Sequence, residues 1–303
     1  MSQTKEVKMT NSDDKSTETI KSILRPKDKH WVGDGFPVRT LFFYEEQGQE
    51  LSPFLLLDYA GPQEFPPTED RLGVGPHPHR GFETVTIVYS GEVEHRDSSG
   101  GGGKIGPGDV QWMTAASGLV HEEYHGRDYA IKGGLFEMVQ LWVNLPAKEK
   151  MVPPRYQGIT SDDIPIVTLA NGIGQIRVIA GEYNGNKGPA MTYSPVHVWD
   201  IKMNSDKPMS LDVPIGQTKL LVVLKGSVTL DNAKIIGEAE VVMFNRDCDS
   251  IQIQQAKNTT ALLLSGEPLG EPIVGYGPFV MNSSLEIHEA MDDYKNGRLG
   301  NLT

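Results

Sequence analysis

The sequence predicts an all-β protein made of two similar β-sandwich or barrel units in tandem, closed by one short C-terminal helix. Three observations lead there. The 303 residues include 33 Gly and 20 Pro, an excess of turn formers that favours many short strands over a helical bundle. From Thr40 onward, short runs of β-branched and aromatic residues alternate with turn signals. The second half also repeats the first. Thr86-Ile87-Val88-Tyr89-Ser90-Gly91-Glu92-Val93 matches Leu221-Val222-Val223-Leu224-Lys225-Gly226-Ser227-Val228 as strand, turn glycine, strand. Ile105-Gly106-Pro107-Gly108-Asp109-Val110 matches Ile236-Gly237-Glu238-Ala239-Glu240-Val241 in the same order.

The elements follow in sequence. Residues 1–20 are almost all polar and have nothing to bury, so a disordered tail is expected there. The first unit spans 21–150. Its strands are expected at 39–44, 52–59, 82–89, 92–97 and 110–113, with Ser98 to Gly103 as a wide glycine hairpin tip and 105–109 as a turn. A polar linker with three prolines is expected at 145–156, and the second unit fills 151–303. There the glycine hairpin shortens to Asp231-Asn232. Near the end, Ser283 and Glu286 have the spacing of a capping box. Ile287, Ala290, Met291 and Tyr294 form one helical face, and Gly297 stops the helix.

Charge excludes some functions. Asp plus Glu number 40 against 28 Lys plus Arg, a net charge of −12, which opposes generic binding to nucleic-acid phosphates or anionic lipid. The one cysteine, Cys248, excludes an internal disulfide framework and a Cys-rich metal site. It lies between Asp247 and Asp249, which raise a thiol pKa and make it a poor nucleophile. No run approaches the ~20 apolar residues of a membrane span. No apolar leader opens the chain, so a cytoplasmic location is expected, or a nuclear one as well in a eukaryote.

The chemistry concentrates in two short motifs. In His77-Pro78-His79, residues i and i+2 of a strand share a face, so both imidazoles point the same way, roughly 6–7 Å apart along the strand. In His121-Glu122-Glu123, His121 and Glu123 again share a face. Strands carrying the two motifs side by side would converge three imidazoles and one carboxylate. That set suits Fe(II), Mn(II), Ni(II), Co(II) or Zn(II) rather than Ca(II) or Mg(II). Four protein ligands on an octahedral metal leave two positions for substrate and O₂. The repeat provides a control: its offsets align His77 and His79 with Asp212 and Pro214, and His121 and Glu123 with Gln252 and Gln254. The second copy keeps the strands and loses every ligand, so one metal per chain is expected. His95, in the charged run 92–96, reads as part of a solvated face, and His125 as an exposed loop residue.

At these motifs the chain resembles the pirin family of bicupins, within the cupin superfamily. The resemblance rests on the run from His77-Pro78-His79-Arg80-Gly81-Phe82-Glu83-Thr84-Val85, on Pro107-Gly108-Asp109-Val110-Gln111-Trp112-Met113-Thr114-Ala115, and on Gly118-Leu119-Val120-His121-Glu122-Glu123. Trp31 to Arg39 and Gly277 to Asn282 extend it, so that it runs from about Ile23 to Gly300. It implies two stacked β-sandwich (jelly-roll) cupin domains with one metal, usually iron, in the first. The implied ligands are His77, His79, His121 and Glu123. Many other cupins keep their carboxylate ligand where Glu83 stands; in pirins the later glutamate serves. Glu83 is therefore expected beside the metal and Glu123 on it, with either able to act as catalytic base. The resemblance implies dioxygen-dependent cleavage of a flavonol such as quercetin, with Phe82, Trp112 and Met113 as candidates to wall the flat ring. The alternative it implies is a non-enzymatic, redox-responsive transcriptional cofactor that works through a protein partner. A bicupin pairs its sheets internally, so a monomer is expected.

Overall fold

The computed structural model describes residues 19–302. Most of the predicted tail therefore lies outside the described residues, and Ile20 already opens a strand. The first half folds into two facing sheets. Seven strands lie in the spatial order Arg155–Ile159, Val110–Thr114, Phe82–Ser90, Gly134–Asn144, Phe54–Phe65, Phe36–Phe43, His30–Val32. Four more lie in the order Gly73–His79, Leu119–His125, Val93–Asp97, Gly102–Ile105. Val88, Phe136 and Met138 of the large sheet pack against Val93 and Ile105 of the small one. The alternation that places these residues inward is the ordinary two-residue period of a half-buried strand.

The second half repeats this order strand for strand. Ile20–Leu24, Glu240–Phe244, Thr218–Leu230, Ser250–Gly266, Val196–Ser205, Gly174–Ala180 and Ile166–Thr168 form its large layer. Met209–Asp212 pairs with the start of Ser250–Gly266, and Ile235–Ile236 with the end of Thr218–Leu230. The long strands, of 13 and 17 residues, bend through bulges to serve both layers. The duplication read from the sequence is thus a duplication of topology.

Each copy's leading strand completes the other copy's sheet. Ile20–Leu24 pairs with Glu240–Phe244 of the second copy, and Arg155–Ile159 pairs with Val110–Thr114 of the first. The segment expected as a linker at 145–156 therefore runs into a strand of the first sandwich, on the far side of the expected boundary at 150. The two large sheets bury a shared core. Val85, Ile87, Trp112, Val139, Leu141 and Val143 of the first meet Val198, Leu220, Val222, Leu262 and Leu264 of the second. Full burial of each such side chain contributes about 1.5–3 kcal/mol.

The C-terminal helix is Ser284–Lys295. The N-cap half of the expected capping box forms, Ser283 Oγ accepting from the Glu286 amide, while Glu286 Oε2 accepts from the Ser283 hydroxyl and from the amide of Asn282, one residue before the cap. Ile287 and Ala290 are buried against Val120, Phe279 and Leu299, while Met291 and Tyr294 stay about 40% exposed. The helix is tied to the first sandwich, where Asp293 accepts from Arg80 Nη2 at 2.7 Å. Among the described residues, no helix is long and apolar enough to cross a membrane.

Candidate metal centre

The four-stranded sheet brings the two histidine motifs side by side. His77 lies directly opposite His121, and His79 opposite Leu119. The rings of His77, His79 and His121 have centroids 4.2–5.0 Å apart. One donor nitrogen from each lies within 4.8 Å of the others. On the far side of Leu119–His125, Glu123 pairs with His95 and His121 with Asp97. A second set of donors, His95, His121 and Glu123, is equally close and shares His121 with the first. Among the described residues, both sets belong to the first sandwich.

Hydrogen bonds prepare two of these imidazoles for a metal. His77 Nδ1 lies 2.8 Å from the Gly75 carbonyl, and His79 Nδ1 lies 3.3 Å from the Pro278 carbonyl. A carbonyl only accepts, so each Nδ1 carries a proton, and in the neutral ring that leaves Nε2 with its lone pair. Pro278 comes from the second half of the chain, which thereby orients His79 in the first. Burial, reinforced by the neighbouring imidazoles, holds His79 and His121 well below the usual histidine pKa, so both are neutral. His121 Nε2 is fully buried with no hydrogen-bond partner among the described residues. An orphaned nitrogen flanked by two more imidazoles fits a soft-to-borderline divalent metal.

Glu123 is placed less simply. Its carboxylate is buried, Oε1 accepting from Gln111 Nε2 at 2.6 Å and Oε2 from Gln140 Nε2 at 2.9 Å. It joins the donor set of His95 and His121, not that of His77 and His79. Both glutamines stand on the large sheet, on the face that looks into the sandwich. Neutral amides on a strand carry no metal signal in a sequence, and the sequence reading missed them.

Glu83 lies on the opposite face. It pairs across strands with Val143 and Thr114, and shares the face of Val85 and Ile87, which pack into the core between the two large sheets. The strand with His77 and His79 stops at His79. Arg80-Gly81 then turns, with Gly81 at φ +91°, and the next strand restarts at Phe82 with its alternation reset. The expectation that Glu83 sits beside the metal assumed one unbroken strand. Its carboxyl is instead sealed in the interdomain core, where Thr114 Oγ1 donates to it at 2.7 Å.

Burial pushes the Glu83 carboxyl up to about 7, against the opposing influence of Thr114, Trp112 and Arg155. Between the ordinary glutamate value and about 7, the folded chain holds a proton that the unfolded chain has released. Stability therefore falls as pH rises through that window, and the loss is complete above it. Glu83→Gln is neutral throughout and removes the loss. Melting temperatures should shift in favour of the variant between pH 5 and pH 8, with metal content unchanged. A difference that stays flat with pH would contradict this.

Other expectations change as well. His95 is buried, not solvated: Val93, His95 and Asp97 point inward while Arg96 points out. The apolar Val93, two residues earlier, was the signal for that face. His125 is also buried, stacked on Phe136 and hydrogen-bonded to the Gly35 carbonyl. Among the proposed wall residues, Phe82 meets His79 and Trp142 at centroid distances of 5.1 and 4.3 Å. Met113 shares the inward face of Gln111, but Trp112 belongs to the interdomain core. Tyr156, expected in the linker, stacks on His95 at 5.0 Å.

In the second copy, the positions that match the candidate ligands are apolar. Leu211 pairs with Ile251, and both are buried with Ile253. Asp212, Gln252 and Gln254 point outward. The alignment by offset was one residue out, which moves every side chain to the other face. The candidate ligands have no counterparts there, and a packed core takes their place.

Comparison with known proteins agrees with this arrangement. The pirin family matches residues 35–143, and the pirin C-terminal cupin domain matches 198–300. The chain belongs to the pirin family. Its two sandwiches are accordingly the two cupin domains of a pirin. A Pseudomonas aeruginosa protein, provisionally named a quercetin 2,3-dioxygenase, is 58% identical over 92% of this chain and 97% of its own. Human pirin is 37% identical over 83% of this chain and 84% of its own. A crystal structure of quercetin 2,3-dioxygenase from Acinetobacter baumannii superimposes with a TM-score of 0.92 at 52% identity, covering 94% of this chain and 99% of that one.

Proposed function

We propose that this pirin is an iron-dependent dioxygenase that cleaves a flavonol such as quercetin with O₂. The observation that carries the reading is the convergence of three imidazoles, His77, His79 and His121, beside a buried carboxylate in the first cupin domain. His77, His79 and His121 would hold the metal, with Glu123 as the fourth ligand. A bound divalent metal supplies a Lewis acid and a template for substrate and O₂. Mn(II), Ni(II), Co(II) and Zn(II) are acceptable to the same donors.

The chain's own groups do the rest. Glu123 takes the proton of the flavonol 3-hydroxyl, and Gln111 and Gln140 aim its carboxylate. Phe82, Met113 and Trp142 offer apolar surface to a flat ring. Thr84 Oγ1, Thr86 Oγ1 and Trp142 Nε1 are buried without hydrogen-bond partners among the described residues, which suits a substrate rich in hydroxyl groups. The second cupin contributes packing and the Pro278 carbonyl.

The test is aerobic addition of quercetin to iron-loaded protein while following the flavonol absorption. Absorption should decay only with the metal-loaded chain. No decay with iron, manganese, nickel or cobalt would overturn the reading. The two large sheets already cover each other, so sedimentation should also give a mass near 33.3 kDa rather than twice that.

A further inference from the structure

We propose that Asp97 and His95 are positioning residues that lock His121 in the one tautomer able to bind a metal. The inference rests on the reading of His121 as a ligand. His77 and His79 donate from Nδ1 to backbone carbonyls, which settles their tautomers. Among the described residues, His121 has no carbonyl partner. Its Nδ1 faces Nδ1 of His95 at 3.2 Å, and either ring could donate. The choice is made one residue further out. His95 Nε2 lies 3.1 Å from Asp97 Oδ2. A carboxylate only accepts, so His95 Nε2 carries a proton; a second proton on its Nδ1 would force one onto His121 Nε2, which is buried with no acceptor among the described residues, so the geometry favours a His95 Nδ1 that keeps its lone pair. His121 Nδ1 must then donate, and His121 Nε2 is left with a lone pair, as its unpartnered state requires.

The surroundings hold this chain of groups in place. Asp97 Oδ1 accepts from the Ser99 amide, the Ser99 hydroxyl and the Gly101 amide at 2.6–3.0 Å. Burial alone would raise its pKa, but hydrogen bonds from His95, Ser99 and Gly101 outweigh it and keep the carboxyl down at about 2. The glycine hairpin is part of the device. A Cβ at Gly101 would collide with the Asp97 carboxylate and with Tyr156, so only glycine brings that amide close enough. Tyr156 stacks on His95 with ring planes 14° apart, which fixes the orientation of the relaying ring.

Asp97→Asn tests this. The oxygen of the new amide can keep the hairpin bonds while its NH₂ turns to His95 Nε2. That reverses His95, sets its Nδ1–H against His121 Nδ1–H, and drives the His121 proton to Nε2. In metal-free protein with ¹⁵N-labelled histidine, His121 should be the Nδ1–H tautomer in the wild type and the Nε2–H tautomer in the variant. Ni(II) affinity, measured by titration calorimetry, should fall ~10–100-fold. His95→Phe preserves the stacking but removes both the acceptor for His121 Nδ1 and the Nε2–H donor to Asp97; it should weaken Ni(II) similarly, with circular dichroism of the metal-free chain showing that it still folds. An Nε2–H tautomer in the wild type, or Ni(II) affinity within about twofold of wild type in both variants, would overturn the proposal. A wild type that binds nickel with this tautomer but does not oxidise flavonols would sink the dioxygenase reading and leave this one standing.

Discussion

Glu123→Gln is expected to abolish flavonol oxidation while the chain stays folded. The carboxylate would act as metal ligand and as base, and an amide is poor at the first and incapable of the second at neutral pH. Loss of the base alone costs ~10²–10⁴-fold in rate. The fold should survive because the site can adjust. The substituted amide would set an NH₂ against the NH₂ of Gln111 or Gln140, and Gln111 can turn over cheaply, its Oε1 making only a 3.5 Å contact with Tyr156. Glu83→Gln serves as the contrast. On the far face of its strand, it should leave turnover within about threefold of wild type. Turnover retained in Glu123→Gln and lost in Glu83→Gln would invert the assignment of the carboxylates.

Lys150→Met should cost stability on a scale no surface change matches. Lys150 is 1% exposed, and its Nζ donates to the Gly81 carbonyl, to Asn144 Oδ1 and to the Val280 carbonyl at 2.6–2.9 Å. Those three acceptors belong to the turn after His79, the end of strand Gly134–Asn144, and the returning strand Phe279–Met281. Met fills the volume but leaves all three without this donor, and each buried group so stranded costs about 1–3 kcal/mol. A loss of about 3–5 kcal/mol in urea unfolding is expected. The turn that fixes His79 should loosen with it, so metal affinity should fall too. A loss below about 1 kcal/mol would show that the lysine is not the pin between the second half of the chain and the site.

Much of this was legible in the residues, and the failures have physical causes. Period-two alternation found the strands. The i, i+2 spacing singled out His77 with His79 and His121 with Glu123, pairs that each lie within one strand of the same sheet. The same rule failed for Glu83, where Arg80-Gly81 interrupts the strand, and for the second copy, where a one-residue slip exchanged the inward Leu211, Ile251 and Ile253 for their outward neighbours. His95 was hidden by the charges around it, although Val93 marked its face. The exchange of leading strands had no local signal at all. Which sheet Ile20–Leu24 or Arg155–Ile159 completes is decided by contacts far away in sequence, and a strand reads the same wherever it pairs.

The central claim is that one metal is held by the histidines of the first cupin domain and none by the second. The direct measurement is metal content per chain, by elemental analysis of protein purified without oxygen, for the wild type and for His79→Ala combined with His121→Ala. The account predicts about one metal per wild-type chain, by the count of one converged imidazole set, and essentially none in the double variant. A wild-type content near two, or metal retained by the double variant, would contradict it.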